Sequence, residues 1–140
     1  MSLTTASPLE DFKVPVRLKL SGLWASVMSC YIYGDFLGLY RPGDIQGILN
    51  GAGLLGPSSQ GSLLAVATLI AVPAVMIFLS LVLIPALARW MNILVGAILT
   101  VIVLMTIPGS WAFYILLSAI EAVLQLLVIW YAWRWPRRSQ

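Results

Sequence analysis

The chain has 140 residues, of which 61% are hydrophobic and 9% charged, with a net charge of +3 and a mean hydropathy of +0.98. A domain of this length has too little interior to hide so much apolar surface, so the surplus must face lipid; a soluble enzyme, a disordered tail and a nucleic-acid-binding domain are excluded. There is no histidine and one cysteine, Cys30, so the commonest metal ligand and general base are missing and no disulfide can close within the chain.

Residues 1–17 form an N-terminal segment in which Glu10 and Asp11 precede the basic residues, unlike the basic start of a signal peptide. A helix that spans a membrane needs about 20 mostly apolar residues. Residues 18–133 hold four such stretches. The first, about 18–40, is the most polar and carries Asp35 near its far end. The loop 41–61 follows, with six glycines and two prolines, in which Ile45–Leu49 has the character of a short interfacial helix. The second span, about 62–84, is uncharged and has Pro73 in its middle, where a proline frees a carbonyl and kinks a helix. A short link beginning at Pro85 and carrying Arg89 leads to the third span, about 90–107, short enough to stand nearly upright. Pro108-Gly109-Ser110 is a turn, and the fourth span, about 111–133, contains Glu121 and Gln125. A basic tail, 134–140, ends the chain. Both short links predict antiparallel neighbours. The expected fold is an all-α membrane protein, an antiparallel bundle of four transmembrane helices with both termini cytoplasmic.

Charge sets that orientation. Lys13, Arg17, Lys19, Arg89, Arg134, Arg137 and Arg138 fall on the side of the termini, and Arg41 alone on the other. Cytoplasmic loops collect such an excess. Trp90, Trp130, Tyr131, Trp133 and Trp135 mark the same boundary, and Tyr40, Trp111 and Tyr114 the opposite one, as amphipathic rings do at interfaces. The bias also argues against an antiparallel dimer of identical chains.

Glu121 lies near the middle of its span, where a carboxylate costs several kcal/mol unless it is neutral, paired or wet. Tyr114, Ser118, Glu121 and Gln125 share one helix face, which is expected to point into the bundle. Ser26, Ser29 and Cys30 on the first span and Thr100 on the third lie at similar depth, with Asn92 and Gly96 below Thr100, and offer hydrogen-bond partners; no Lys or Arg does. Two readings stand side by side: a proton- or cation-binding carboxylate, or a protonated Glu121 that ties helices together. Asp35, with Tyr33 and Arg41, is a second candidate group, reaching the outer interface or pairing with Arg41. Gly96-x-x-x-Thr100, Ala67-x-x-x-Ala71 and Ser118-x-x-x-Ala122 are small-residue pairs that let helices approach closely.

The strings YIYGDFLGLY (Tyr31–Tyr40), VMIFLSLVLIPALARWMNILVG (Val75–Gly96) and PGSWAFY (Pro108–Tyr114) resemble a family of small bacterial four-helix integral membrane proteins known only as a domain of unknown function. The resemblance covers about residues 12–138 and brings no catalytic residues with it. A remoter similarity to DoxX-like membrane proteins implies the fold and an association with quinone or thiosulfate metabolism, an analogy that does not transmit function.

No catalytic constellation, metal site or cofactor is expected. The first functional expectation is an accessory or structural membrane subunit in the bacterial inner membrane, as a homo-oligomer or within a larger complex. The second is an oligomeric small transporter or channel using Glu121. The third is a quinone- or lipid-binding redox protein with a cavity between Pro73 and the Glu121 face.

Overall fold

A computed structural model describes residues 12–136. Glu10, Asp11, Arg137 and Arg138 lie outside the described residues. Pro15 precedes α1 (Val16–Gly38), and the helix tightens at its far end, where Leu39, Tyr40 and Arg41 donate to carbonyls three residues back before Pro42 ends it. Gly43, at φ 90°, turns the chain into α2 (Asp44–Leu49), the short helix expected in the loop. The rest of that loop was expected to be irregular. It instead holds a minimal antiparallel hairpin, β1 (Ala52–Gly53) and β2 (Gly56–Pro57), with Leu54 and Leu55 at its tip. A Cβ at Gly53 would sit 2.9 Å from the Gly56 carbonyl, so only glycine fits there.

α3 (Gln60–Val82) begins with a reciprocal cap. Ser62 N donates to Ser59 Oγ at 3.1 Å, and Ser59 N donates to Ser62 Oγ at 2.9 Å. Pro73 is buried inside the helix, which continues past it. The link to the next helix is shorter than expected, and the third span longer: α4 runs Pro85–Thr106, 22 residues, and Arg89 lies within it. Pro85 is the reason. A proline at the first helical position loses nothing, because that N–H has no helical partner. Ile107–Trp111, with Gly109 at φ 77°, then turns the chain into α5 (Ala112–Trp133).

α1 packs between α3 and α5, and α5 also packs along α4. α3 and α4, joined by the short link, touch only sparsely. A two-residue link holds helices together at one end only; the rest depends on side chains. Gly96 on α4 makes the close approach expected of it: a Cβ there would meet Ile129 Cγ1 at 3.0 Å and Gln125 O at 3.6 Å. Ser118 and Ala122 are buried, but Ala67 and Ala71 are exposed.

The core fills the half of the molecule nearest the α3–α4 link, around Leu20, Trp24, Val27, Met76, Leu99, Val128 and Ala132. Outward, the long helices present Leu94, Ile98, Val101, Leu116, Ile120, Val123 and many similar side chains. α3, α4 and α5 are each long and apolar enough to cross a membrane. α1 has similar length but carries Arg17, Lys19 and Asp35 and does not belong to that set.

Candidate functional site

α5 places Ser118, Glu121 and Gln125 on one buried face, as their spacing predicted. Glu121 is only 5% exposed. Gln125 Nε2 donates to Glu121 Oε1 at 3.0 Å, a contact between side chains one turn apart. Gln125 Oε1 is buried without a hydrogen-bond partner among the described residues. Glu121 lines a cavity of about 190 Å³ that also touches Tyr31 and Asp35 on α1, Ile70 on α3, Val103 on α4 and Tyr114 on α5. A recess of about 20 Å³ beside it, lined by Cys30, Tyr31, Asp35, Ser118 and Glu121 among others, has room for one water.

This arrangement joins two groups that were expected to be separate. Asp35 and Glu121 border the same cavity, Asp35 one turn from the end of α1 and Glu121 deeper, about 14 Å into α5. Tyr31 lies a turn below Asp35 on the same helix and faces the same space. It was not among the candidates, although Trp24, Val27, Tyr31 and Gly34 follow the spacing of the inward face of α1.

Other expected partners go elsewhere. Ser26 and Ser29 are exposed, each donating to the carbonyl four residues back, Gly22 and Ala25 at 3.0 Å. Thr100 is buried, but its hydroxyl donates to Gly96 O at 2.7 Å. A hydroxyl on a helix finds its own backbone first when no better acceptor is in reach. Asp35 does not pair with Arg41. Arg41 Nε lies 3.4 Å from Asp44 Oδ2, and its guanidinium stacks 5.5 Å from the Trp111 ring centre. Tyr33 is 62% exposed and lies outside the cavity lining. Arg41 and Asp44 do border, with Asp35 and Tyr114, an outer groove of about 370 Å³ that adjoins the cavity. Leu54, at the hairpin tip, lines both spaces.

Asn92 does not line the Glu121 cavity. It forms a second buried polar cluster, in which its Oδ1 accepts from Trp24 Nε1 at 2.7 Å and lies 3.1 Å from Ser80 Oγ. Its Nδ2 donates to Ala88 O at 2.8 Å. The single Ser80 proton is shared between Asn92 Oδ1 and Met76 O, the latter at 2.7 Å. This node joins α1, α3 and α4 at the end where α3 and α4 converge.

The same end carries the basic and aromatic residues. Arg17 donates to Leu81 O and lies over Trp135, Lys19 over Tyr131, Arg89 between Trp90 and Trp133, and Arg134 4.0 Å from the Trp130 ring centre. Such rings and cations occupy the polar boundary of a bilayer. Apolar outward faces, a polar cavity inside and this belt at one end belong to the class of helical proteins whose helices are long and apolar enough to span a membrane, as three are here. Within that class the chain belongs to a family of unknown function, DUF6326, whose model matches residues 11–140. No curated protein and no solved structure matches the chain.

Proposed function

We propose that the protein crosses the bacterial cytoplasmic membrane four times, with α1 as a span beside α3, α4 and α5 and both termini on the cytoplasmic side. The positive belt supports this orientation, since Arg17, Lys19, Arg89 and Arg134 share one end and Arg41 lies at the other. Its Glu121 cavity is the proton- or cation-binding site of a small transporter. One observation carries the reading: two carboxylates, Glu121 and Asp35, line one cavity with no basic side chain among its described lining residues. The cavity meets the groove under the 41–61 loop, so the site opens away from the positive end.

The test is flux. The full chain is reconstituted in liposomes containing a pH-sensitive dye, with the membrane potential clamped. Wild type is expected to conduct or exchange protons or monovalent cations, and Glu121→Gln to lose most of that flux. Equal flux from the two proteins sinks the reading.

A second reading, the accessory subunit of a larger membrane assembly, is favoured by the floor of the site. Leu20, Trp24, Val27, Met76, Leu99, Val128 and Ala132 close the half beyond Gln125, so one protomer offers no continuous polar path. A path would need a second copy, another subunit or a rearrangement. Native electrophoresis of the mildly extracted protein separates these cases by the size and composition of the band. The quinone reading has no comparable support: Pro73, one wall of the space it called for, is not in the lining of the Glu121 cavity.

A further inference from the structure

We propose that the ligand of the Glu121 cavity is a small hydrophobic organic cation, held with its charge between Glu121 and Asp35 and its apolar body in the seam between α3 and α4. The inference rests on the reading of Glu121 as a proton- or cation-binding carboxylate, and names the chemistry that the rest of the cavity adds.

The cavity has two unlike walls. One is polar and anionic, made by Glu121, Asp35, Tyr31 and Tyr114. The other is aliphatic, made by α3 and α4 residues that include Ile70 and Val103. An inorganic cation would be served by a shell of oxygens, and no group of three or more acidic or cysteine side chains able to hold a metal occurs among the described residues. A hydrated ion gains nothing from the aliphatic wall. An alkyl or aryl ammonium uses both walls, since its charge meets the carboxylates and the tyrosine faces while its body meets hydrocarbon.

Glu121 has the Gln125 amide and the Tyr31 hydroxyl beside it but no basic partner: it is 5% exposed, its Oε1 accepts from Gln125, and no Lys or Arg is among the described residues that line its cavity. Buried charges are normally paired. The aliphatic wall also lies where α3 and α4 barely touch, with the two helices held at one end by the Ser80–Asn92 contact. A ligand dissolved in the bilayer therefore has a route between them that a strongly hydrated ion does not.

The experiment is equilibrium dialysis of the purified full chain, in a neutral detergent, against radiolabelled benzyltrimethylammonium. Neopentylbenzene, in which carbon replaces nitrogen, serves as the uncharged competitor of the same shape. Wild type is expected to bind saturably and to resist displacement by neopentylbenzene. Glu121→Gln and, separately, Asp35→Asn are expected to weaken binding by about tenfold or more, as loss of a desolvated charge partner does. Ile70→Trp, which narrows the aliphatic wall and leaves both carboxylates, is expected to abolish binding of the probe. Absence of saturable binding, or equal binding by wild type and both carboxylate variants, overturns the proposal. If flux still depends on Glu121 in that event, the transporter reading stands and only the ligand class is wrong. If flux and binding are both absent, the two fall together.

Discussion

Asn92 shows how one amide can hold three helices. Its oxygen receives the Trp24 indole and neighbours the Ser80 hydroxyl, while its own NH₂ returns to Ala88 O. All three side chains are fully buried, so none can turn to water for a substitute. Asn92→Ala is expected to cost about 1–3 kcal/mol, because it strands the indole N–H rather than merely losing a bond. Thermal unfolding in detergent measures this. Combining it with Trp24→Phe is expected to cost clearly less than the two single changes added together, since both delete the same bond; strict additivity would show that the pair is not coupled. Glu121 was legible as a buried polar residue from its place within an apolar stretch and its spacing to Gln125. Asn92 was legible as polar and inward-facing, but its partners were not, because depth alone does not say which of several polar side chains a neighbouring helix will turn toward it. Ser26 and Ser29 illustrate the same limit: they lie at a suitable depth on a face that points away.

Helix ends obey local chemistry, and here that chemistry moves the start of α3 by two residues and that of α4 by five. The Ser59–Ser62 cap starts α3 before its hydrophobic run begins. Ser59→Ala removes one half of this reciprocal pair and is expected to destabilise the protein by about 0.5–2 kcal/mol. Hydrogen exchange of the amides at 60–63 is the check, with the cap being irrelevant if they stay as protected as before. Pro85 produces the larger difference between expectation and structure. Read as the start of a link, it shortened the third span; placed at the first position of α4, it adds five residues and puts Arg89 on a helix beside Trp90 and Trp133. The hairpin at 52–57 was invisible for another reason. Two paired residues per strand leave no alternating pattern, and Gly53 and Gly56 speak for a turn of any kind.

For the whole molecule, the proposed orientation gives a direct test. In a Cys30→Ala background, a membrane-impermeant maleimide applied to intact cells is expected to label Asn50→Cys. It should label Pro136→Cys only after lysis. The reverse pattern would invert the topology, and labelling of both sites in intact cells would mean that one of α3, α4 and α5 does not cross. The three apolar helices follow from composition, since hydrocarbon demands long runs without charge and with backbone hydrogen bonds closed inside each segment. α1 is the more dependent element. It packs against both α3 and α5 and turns Trp24 and Tyr31 inward, while Arg17 and Lys19 reach the aromatic belt.

Hydropathy, turn residues and charge asymmetry, each a property of a short stretch of chain, determined by themselves that the chain is mostly helical with helices long and apolar enough to cross a membrane, where its long helices lie to within a few residues except at Pro85, and that the face bearing Glu121 turns inward. Only the tertiary structure decided that α3 and α4 part from each other, that Asp35 and Tyr31 meet Glu121 on one cavity while Arg41 pairs with Asp44, and that Asn92 serves a different cluster. Those outcomes depend on how each helix is rotated and which neighbour it packs against. In a bilayer such choices are made by close van der Waals fit and interhelical hydrogen bonds rather than by a general drive to bury apolar surface. That fit is a property of pairs of helices, so it has no signature in either one alone.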